Sequence, residues 1–220
     1  MNDLETHVLE LIGEDTDSPD VFTDTDTGMA PIRDSLNDAI EEITMLTGSV
    51  KRPYYVPLIA DRAFYRLSFQ RDSFAWITDA WIYQTKKRLT QTDLIKLNSF
   101  NPRWMLNSGT PEAYCPVGLD KVCFWPTPAA TGGMVEFTCV VIPQRYTSSA
   151  DRIAVREEFK WAAVHYAVSE YYASRGDAKQ ALEHLNLYVE KSGIQTLYPQ
   201  AQERTWGYKT NKEYWPRVNA

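Results

Sequence analysis

The sequence predicts an α+β protein: a helical bundle (an N-terminal helix plus a C-terminal helical hairpin), an inserted antiparallel β domain and an extended C-terminal arm. Three observations predict it. Apolar residues recur at helical spacing near both ends and alternate in the middle, which separates amphipathic helices from half-buried strands. Gly and Pro punctuate the middle at short intervals, as hairpins require. Residues 196–220 lose all periodicity. The expected divisions are 1–50 with 144–195 for the helical domain, 51–143 for the β domain and 196–220 for the arm.

Residues 3–12 fit a short helix, with Leu4, Val8, Leu9 and Leu11/Ile12 on one face. The Asp-, Thr- and Gly-rich stretch at 13–30 reads as a loop. A clear helix follows over 31–47. Pro31 suits its first turn, Ile32, Leu36, Ala39/Ile40 and Ile43 form its stripe, and Gly48 stops it.

The period then changes. "PYYVPLIA" carries two prolines, so it suits an edge strand. In "DRAFYRLSF", Ala63, Tyr65, Leu67 and Phe69 share one face. In "TDAWIYQTKKRL", Trp81, Tyr83, Thr85 and Leu89 share another. "TQTDLIKLNSF" suits a short helix capped by Thr92 or Thr90. "EAYCPV" and "KVCFW" form a hairpin around Gly118–Asp120, ended by Pro126 and Pro128, which cannot donate to a ladder. "MVEFTCVVI" runs back with Val135, Phe137, Cys139 and Val141 on one side, giving about six strands in all.

The helical period returns after Pro143. A helix capped by Ser149 and closed at Gly176 is apolar nearly all round between Phe159 and Ala173, so it should be central. Asp177 caps the next, whose stripe is Ala181/Leu182, Leu185 and Tyr188/Val189, and Gly193 ends it.

Charge is unevenly spread. Residues 1–50 hold thirteen Asp and Glu against one basic residue, Arg33, a balance of −12; residues 51–220 carry +6. An acidic head disfavours DNA binding through that region, because phosphate contacts need Lys and Arg. No run approaches the roughly 20 apolar residues of a membrane span, and the first residues lack the basic start and apolar centre of a signal peptide. Cys115, Cys123 and Cys139 show no C-x-x-C spacing and sit in strand-like runs, as buried thiols of a reducing cytoplasm do.

Little in the chain points to bond chemistry. His7, His165 and His184 share no spacing that places two metal ligands on one face, and His165 reads as a core or interface histidine. Neither Cys115 nor Cys123 carries the surroundings of a nucleophile paired with His165. There is no phosphate-binding G-x-x-x-x-G-K-[ST] loop. The carboxylates at 14–26 alternate as in calcium loops, but no Glu stands at the twelfth position, so a solvated acidic loop is expected. No cofactor or metal is expected, and no enzymatic activity.

The arm is different. It sets Trp206, Tyr208, Tyr214 and Trp215 among Arg204, Lys209, Lys212 and Arg217. Large aromatics with Arg and Lys are the side chains that dominate binding hot spots, so the arm is expected to order on a partner. The alternative is that it wraps over its own domain. Four basic residues beside two acidic ones make a weak single-strand nucleic-acid site.

One phrase remains, W-x(4)-G-T-P-x-x-Y-x(6)-D-x-V-x-F-W-P-x-P, from Trp104 to Pro128. Its marks are Trp104, Gly109, Pro111, Tyr114, Val122, Phe124, Trp125, Pro126 and Pro128. This phrase, with the order helix, loop, helix, β insertion and helical pair over residues 30–195, resembles the head-to-tail adaptor (connector or tail accessory) proteins of tailed bacteriophages. The resemblance implies a twelvefold ring of copies docked on the portal protein, with the arm reaching into the portal. Further implied are contacts with tail or nozzle proteins, non-specific contact with DNA in the channel, and no membrane. The protein would be made in the host cytoplasm and end in the neck of the virion. The acidic head would then face the channel and repel DNA. Another neck or tail component, such as a tail-completion protein, is the alternative. A ligand-binding β module and an enzyme rank below it.

Overall fold

The computed structural model describes residues 3–13, 29–69, 72–118, 120–148, 150–151 and 153–194. It is mixed helix and sheet, with five α-helices and ten strands among the described residues. The chain divides into two compact units. One draws its described residues from Met1–Thr47 and Tyr146–Ala220; the other is Gly48–Arg145.

In the helical unit, α1 (Asp3–Ile12), α2 (Ala30–Thr47), α4 (Lys160–Ser174) and α5 (Ala178–Ser192) share one core. Leu4, Val8 and Leu9 of α1 and Ile32, Leu36, Ala39, Ile40 and Ile43 of α2 are buried, as their spacing predicts. Helix α4 packs against all three others. It is buried at Ala162, Ala163, Val164, His165, Ala167 and Val168, although Trp161 remains half in solvent. Polar groups also enter this core. Arg33 Nε donates to Glu5 Oε1 at 2.6 Å, and both side chains are buried. Arg33 Nη1 also donates to the Thr147 carbonyl. Asn37 donates its amide to the Tyr146 carbonyl at 2.9 Å and accepts the Tyr146 N–H at 3.1 Å. The returning chain is thus fixed to α2 by side chains that mimic a backbone pair, which keeps buried peptide groups satisfied.

Several boundaries differ from expectation. Helix α4 begins at Lys160, well after the expected start; Ser149 lies outside the described residues. Between them, Ile153 and Val155 pack on the core from a segment that is neither helix nor strand. Phe159 is only half-buried, at the end of a 3₁₀ turn. Asp177 caps α5 by accepting the Gln180 N–H, and Gly193 closes it with φ of +67°, a conformation that favours glycine. Helix α5 covers α4 with Tyr188, while Leu182 and Leu185 of the expected stripe face solvent.

The β unit holds two four-stranded sheets. Strands β1 (Lys51–Pro57), β10 (Met134–Ile142), β3 (Ser73–Ile82) and β4 (Lys87–Arg88) form one, in the order β1-β10-β3-β4. Strands β2 (Phe64–Arg66), β8 (Lys121–Trp125), β7 (Ala113–Val117) and β5 (Thr90–Gln91) form the other, in the order β2-β8-β7-β5. Side chains from both sheets share one core: Val56, Ile77, Ala80, Ile82, Val135, Phe137 and Cys139 from the first, Tyr65, Tyr114, Val122 and Phe124 from the second. Phe137 stacks on Phe124 with centroids 5.9 Å apart and meets Tyr114 edge-on at 5.6 Å, which fixes the two layers face to face.

Pairing is not wholly antiparallel as expected. β5 runs parallel to β7, and β6 (Ser108–Gly109) runs parallel to β9 (Thr127–Pro128). Strand β3 starts earlier than the alternation suggested, and its buried residues are Ile77, Ala80 and Ile82, with Tyr83 exposed. The register shift at Thr78 accounts for the three-residue step from Ile77 to Ala80; beyond it Ala80 and Ile82 alternate plainly on the face opposite Trp81, and the strand ends at Ile82, so Tyr83 opens a turn. The outer strands are poor templates for further pairing. Pro53 and Pro57 lie in edge strand β1, and the opposite edge, β4, is only two residues long.

Candidate partner-binding surface

The phrase from Trp104 to Pro128 folds around a small third core of Leu97, Trp104, Cys115 and Cys123. Helix α3 (Leu94–Phe100) covers it. Its cap is Asp93, whose Oδ1 accepts the Lys96 N–H at 2.7 Å, and not Thr90 or Thr92, which lead in from β5. That N–H holds the Asp93 carboxyl below the ordinary carboxylate range. Asn101 accepts the Arg103 N–H and Pro102 follows, so the helix stops and a 3₁₀ turn, Trp104–Leu106, begins. Trp104 is buried and donates Nε1–H to Asn98 Oδ1 at 2.9 Å.

The other marks of the phrase are structural as well. Gly109 lies so close to Pro126 that a Cβ there would stand 3.3 Å from the proline Cβ. This close approach allows β6 to pair with β9 just past Pro126. The Trp125–Pro126 peptide is cis. Thr127 bridges back, donating N–H to the Asn107 carbonyl and Oγ1–H to the Met105 carbonyl. Pro111, Tyr114, Phe124 and Pro128 are buried. Burial pushes the Tyr114 hydroxyl up to about 12, and its O–H donates to Gln91 Oε1. Trp125 is half-buried and meets Phe100 edge-on at 6.0 Å.

What this scaffold presents to solvent is a set of apolar side chains missed in the sequence. Ile95 is 79% exposed, Phe100 77%, Leu106 77% and Met105 48%. Lys96 and Arg103 lie exposed among them. Large apolar groups held out by a well-packed base are what protein contacts are made from. The signal was present: Leu94 and Leu97 take the inward helical positions, leaving Ile95 and Phe100 on the flanks.

The expected chemical residues are placed plainly. Cys115 and Cys123 sit opposite each other in register between β7 and β8. All three cysteines are free and buried, and burial pushes the Cys123 and Cys139 thiols up to about 12, which keeps them from acting as nucleophiles at neutral pH. No three His, Cys, Asp or Glu among the described residues are placed to hold a metal. No described helix is long and apolar enough to cross a membrane. The arm residues Arg204, Trp206, Tyr208, Lys209, Lys212, Tyr214, Trp215 and Arg217 lie outside the described residues, as does the acidic stretch at 14–28.

The model of the SU10 adaptor protein family matches residues 2–212. The chain belongs to that family of phage adaptor proteins. The match is wider than the resemblance over 30–195: it takes in the acidic stretch and the arm from Arg204 to Lys212, and stops before Tyr214, Trp215 and Arg217. No curated protein matches this adaptor in sequence.

Proposed function

We propose that this adaptor forms a ring of identical copies, twelve by the family resemblance, beneath the portal of a filled phage head. There it extends the DNA channel and joins head to tail. The observation that carries the reading is the family match across residues 2–212. The role is mechanical, with no catalysis and no cofactor. Copies assemble from the host cytoplasm onto the portal, and the ring becomes part of the virion neck. Its partners are the portal protein, neighbouring copies, tail or nozzle proteins, and DNA passing through without sequence recognition. In this reading the divisions are functional: 1–50 with 144–195 makes the helical body of the ring, 51–143 the β domain, and 196–220 the arm. The aromatic and basic side chains from Arg204 to Arg217 grip the portal. The exposed Ile95, Phe100, Met105 and Leu106 make a protein contact within the assembled neck.

The deciding experiment is the mass of the protein by light scattering, alone and mixed with its portal. A defined multi-copy ring on the portal is expected. Indifference to the portal would shift the reading to another neck or tail component. Deletion of residues 200–220 should abolish docking and leave the described units folded; docking by the truncated chain would refute the arm. Replacing Phe100 and Leu106 together with Ser should leave the unfolding midpoint unchanged and weaken assembly on the portal by at least about tenfold, the scale of a hot-spot loss. Unchanged assembly would show that this segment stays in solvent.

A further inference from the structure

The chain has three histidines, scattered in sequence, and the fold gathers them into one aromatic row. His165 of α4 and His184 of α5 meet through their Nδ1 atoms, 3.1 Å apart, with ring centroids at 5.3 Å. Tyr172 stacks on the far side of His184 at 5.8 Å. Trp161 lies beside His165 at 6.3 Å, and His7 of α1 stacks on Trp161 at 4.8 Å. Each imidazole of the pair thus has the other ring as its hydrogen-bond partner.

This geometry constrains protonation. Two nitrogens at 3.1 Å can share a hydrogen bond only if one carries a proton and the other offers a lone pair. A neutral pair meets that condition, and so does a pair with one extra proton, where the imidazolium donates to its neutral neighbour. A doubly protonated pair does not: two N–H groups and two positive charges would face each other. The surroundings give no rescue. Among groups facing the pair, α5 supplies Glu183, which favours charge on His184, and Lys191, which opposes it on His165. α4 contributes the uncharged rings of Trp161 and Tyr172. α1 contributes His7, itself beside Glu10, beyond Trp161. Burial lowers the proton affinity of both His165 and His184.

We propose that the His165–His184 contact is a proton-operated latch that holds α5 against α4 while at most one ring is charged and releases α5 when both are. The sign follows from the neutral state being the folded one. The contact is fully in force above the ordinary histidine value near 6.5 and is lost as pH falls below it.

The test is hydrogen exchange of the full chain at pH 7.5 and 5.5, corrected for the intrinsic rate. Exchange in α5 should rise by about tenfold for each proton the closed hairpin excludes. Helix α2, which contains no histidine, is the internal reference. His184→Phe keeps a ring in the row and removes the second titrating group, so the loss of α5 protection between the two pH values should shrink to what the burial of His165 alone causes. Equal protection of α5 in the unaltered protein, an equal rise in α2, or an unchanged response in His184→Phe would each overturn the latch. If His184→Phe does not fold, imidazole titration by NMR in the unaltered protein decides. Two separated steps are expected, the lower well under 6.5; coincident steps near 6.5 would refute the coupling.

Discussion

Glu5→Ala should lower the unfolding free energy by about 3–5 kcal/mol, the usual consequence of stranding one partner of a buried ion pair. Glu5 is fully buried on α1 and Arg33 nearly so on α2, and they meet at 2.6 Å. With Glu5 truncated, the guanidinium keeps its bond to the Thr147 carbonyl but loses the carboxylate that met it at 2.6 Å. Arg33 cannot shed its proton to adapt, since guanidinium stays charged throughout the accessible pH range. The penalty is therefore felt at every working pH. Replacing the pair together, with Glu5→Leu and Arg33→Met, should recover most of the loss, because similar apolar volume removes both desolvated charges at once. Urea unfolding of both variants beside the unaltered protein at neutral pH measures this. A single-variant loss under about 1 kcal/mol would show that water reaches the pair and that α1 is held by its apolar face alone.

The pair also shows what could and could not be read from sequence. Glu5 and Arg33 each look like ordinary helix-surface residues; only the tertiary partner makes them interior. The three histidines are alike in this, since their relation exists only once α1, α4 and α5 are packed. Local signals did better. The stripe of α2, the β7–β8 hairpin, the Asp177 cap and the Gly193 stop all depend on neighbours within a few residues, and all were legible. Errors fell where two periods compete. Ile153 and Val155 could continue a helix backwards from α4, yet they reach the core from a segment outside any helix. The alternation over 81–89 is broken by a turn at 83–86, where β3 ends and the chain reverses into β4. At the candidate surface, the marks from Trp104 to Pro128 were recognised as packing punctuation. The exposed Phe100 and Leu106 beside them carry no periodic signature, and their meaning depends on what they do not touch.

Phe137→Ala should destabilise the β unit by about 3–5 kcal/mol, the range for deleting a large buried aromatic. Phe137 lies on β10, the strand flanked by both β1 and β3, and its side chain is wholly buried. It touches the other sheet twice, stacked on Phe124 and edge-on to Tyr114, so its removal opens a cavity between layers and not at a margin. Neither neighbour can close that space readily. Tyr114 is held by its hydroxyl bond to Gln91, and Phe124 is wedged edge-on against Tyr65 at 5.2 Å. Phe137→Leu should recover part of the loss by refilling volume. Tyr83→Ala, on the exposed turn after β3, should change stability by no more than about 0.5 kcal/mol. Hydrogen exchange locates the effect: β10 and β3 should lose protection while α2 and α4 keep theirs, since Phe137 and the helical core belong to different units. For the same reason, the losses from Phe137→Ala and Glu5→Ala should each stay in their own unit when combined. If Phe137→Ala instead weakened α2 and α4 as strongly as β10, the two units would fold as one, and the β layers would be supporting the helical core as well as their own.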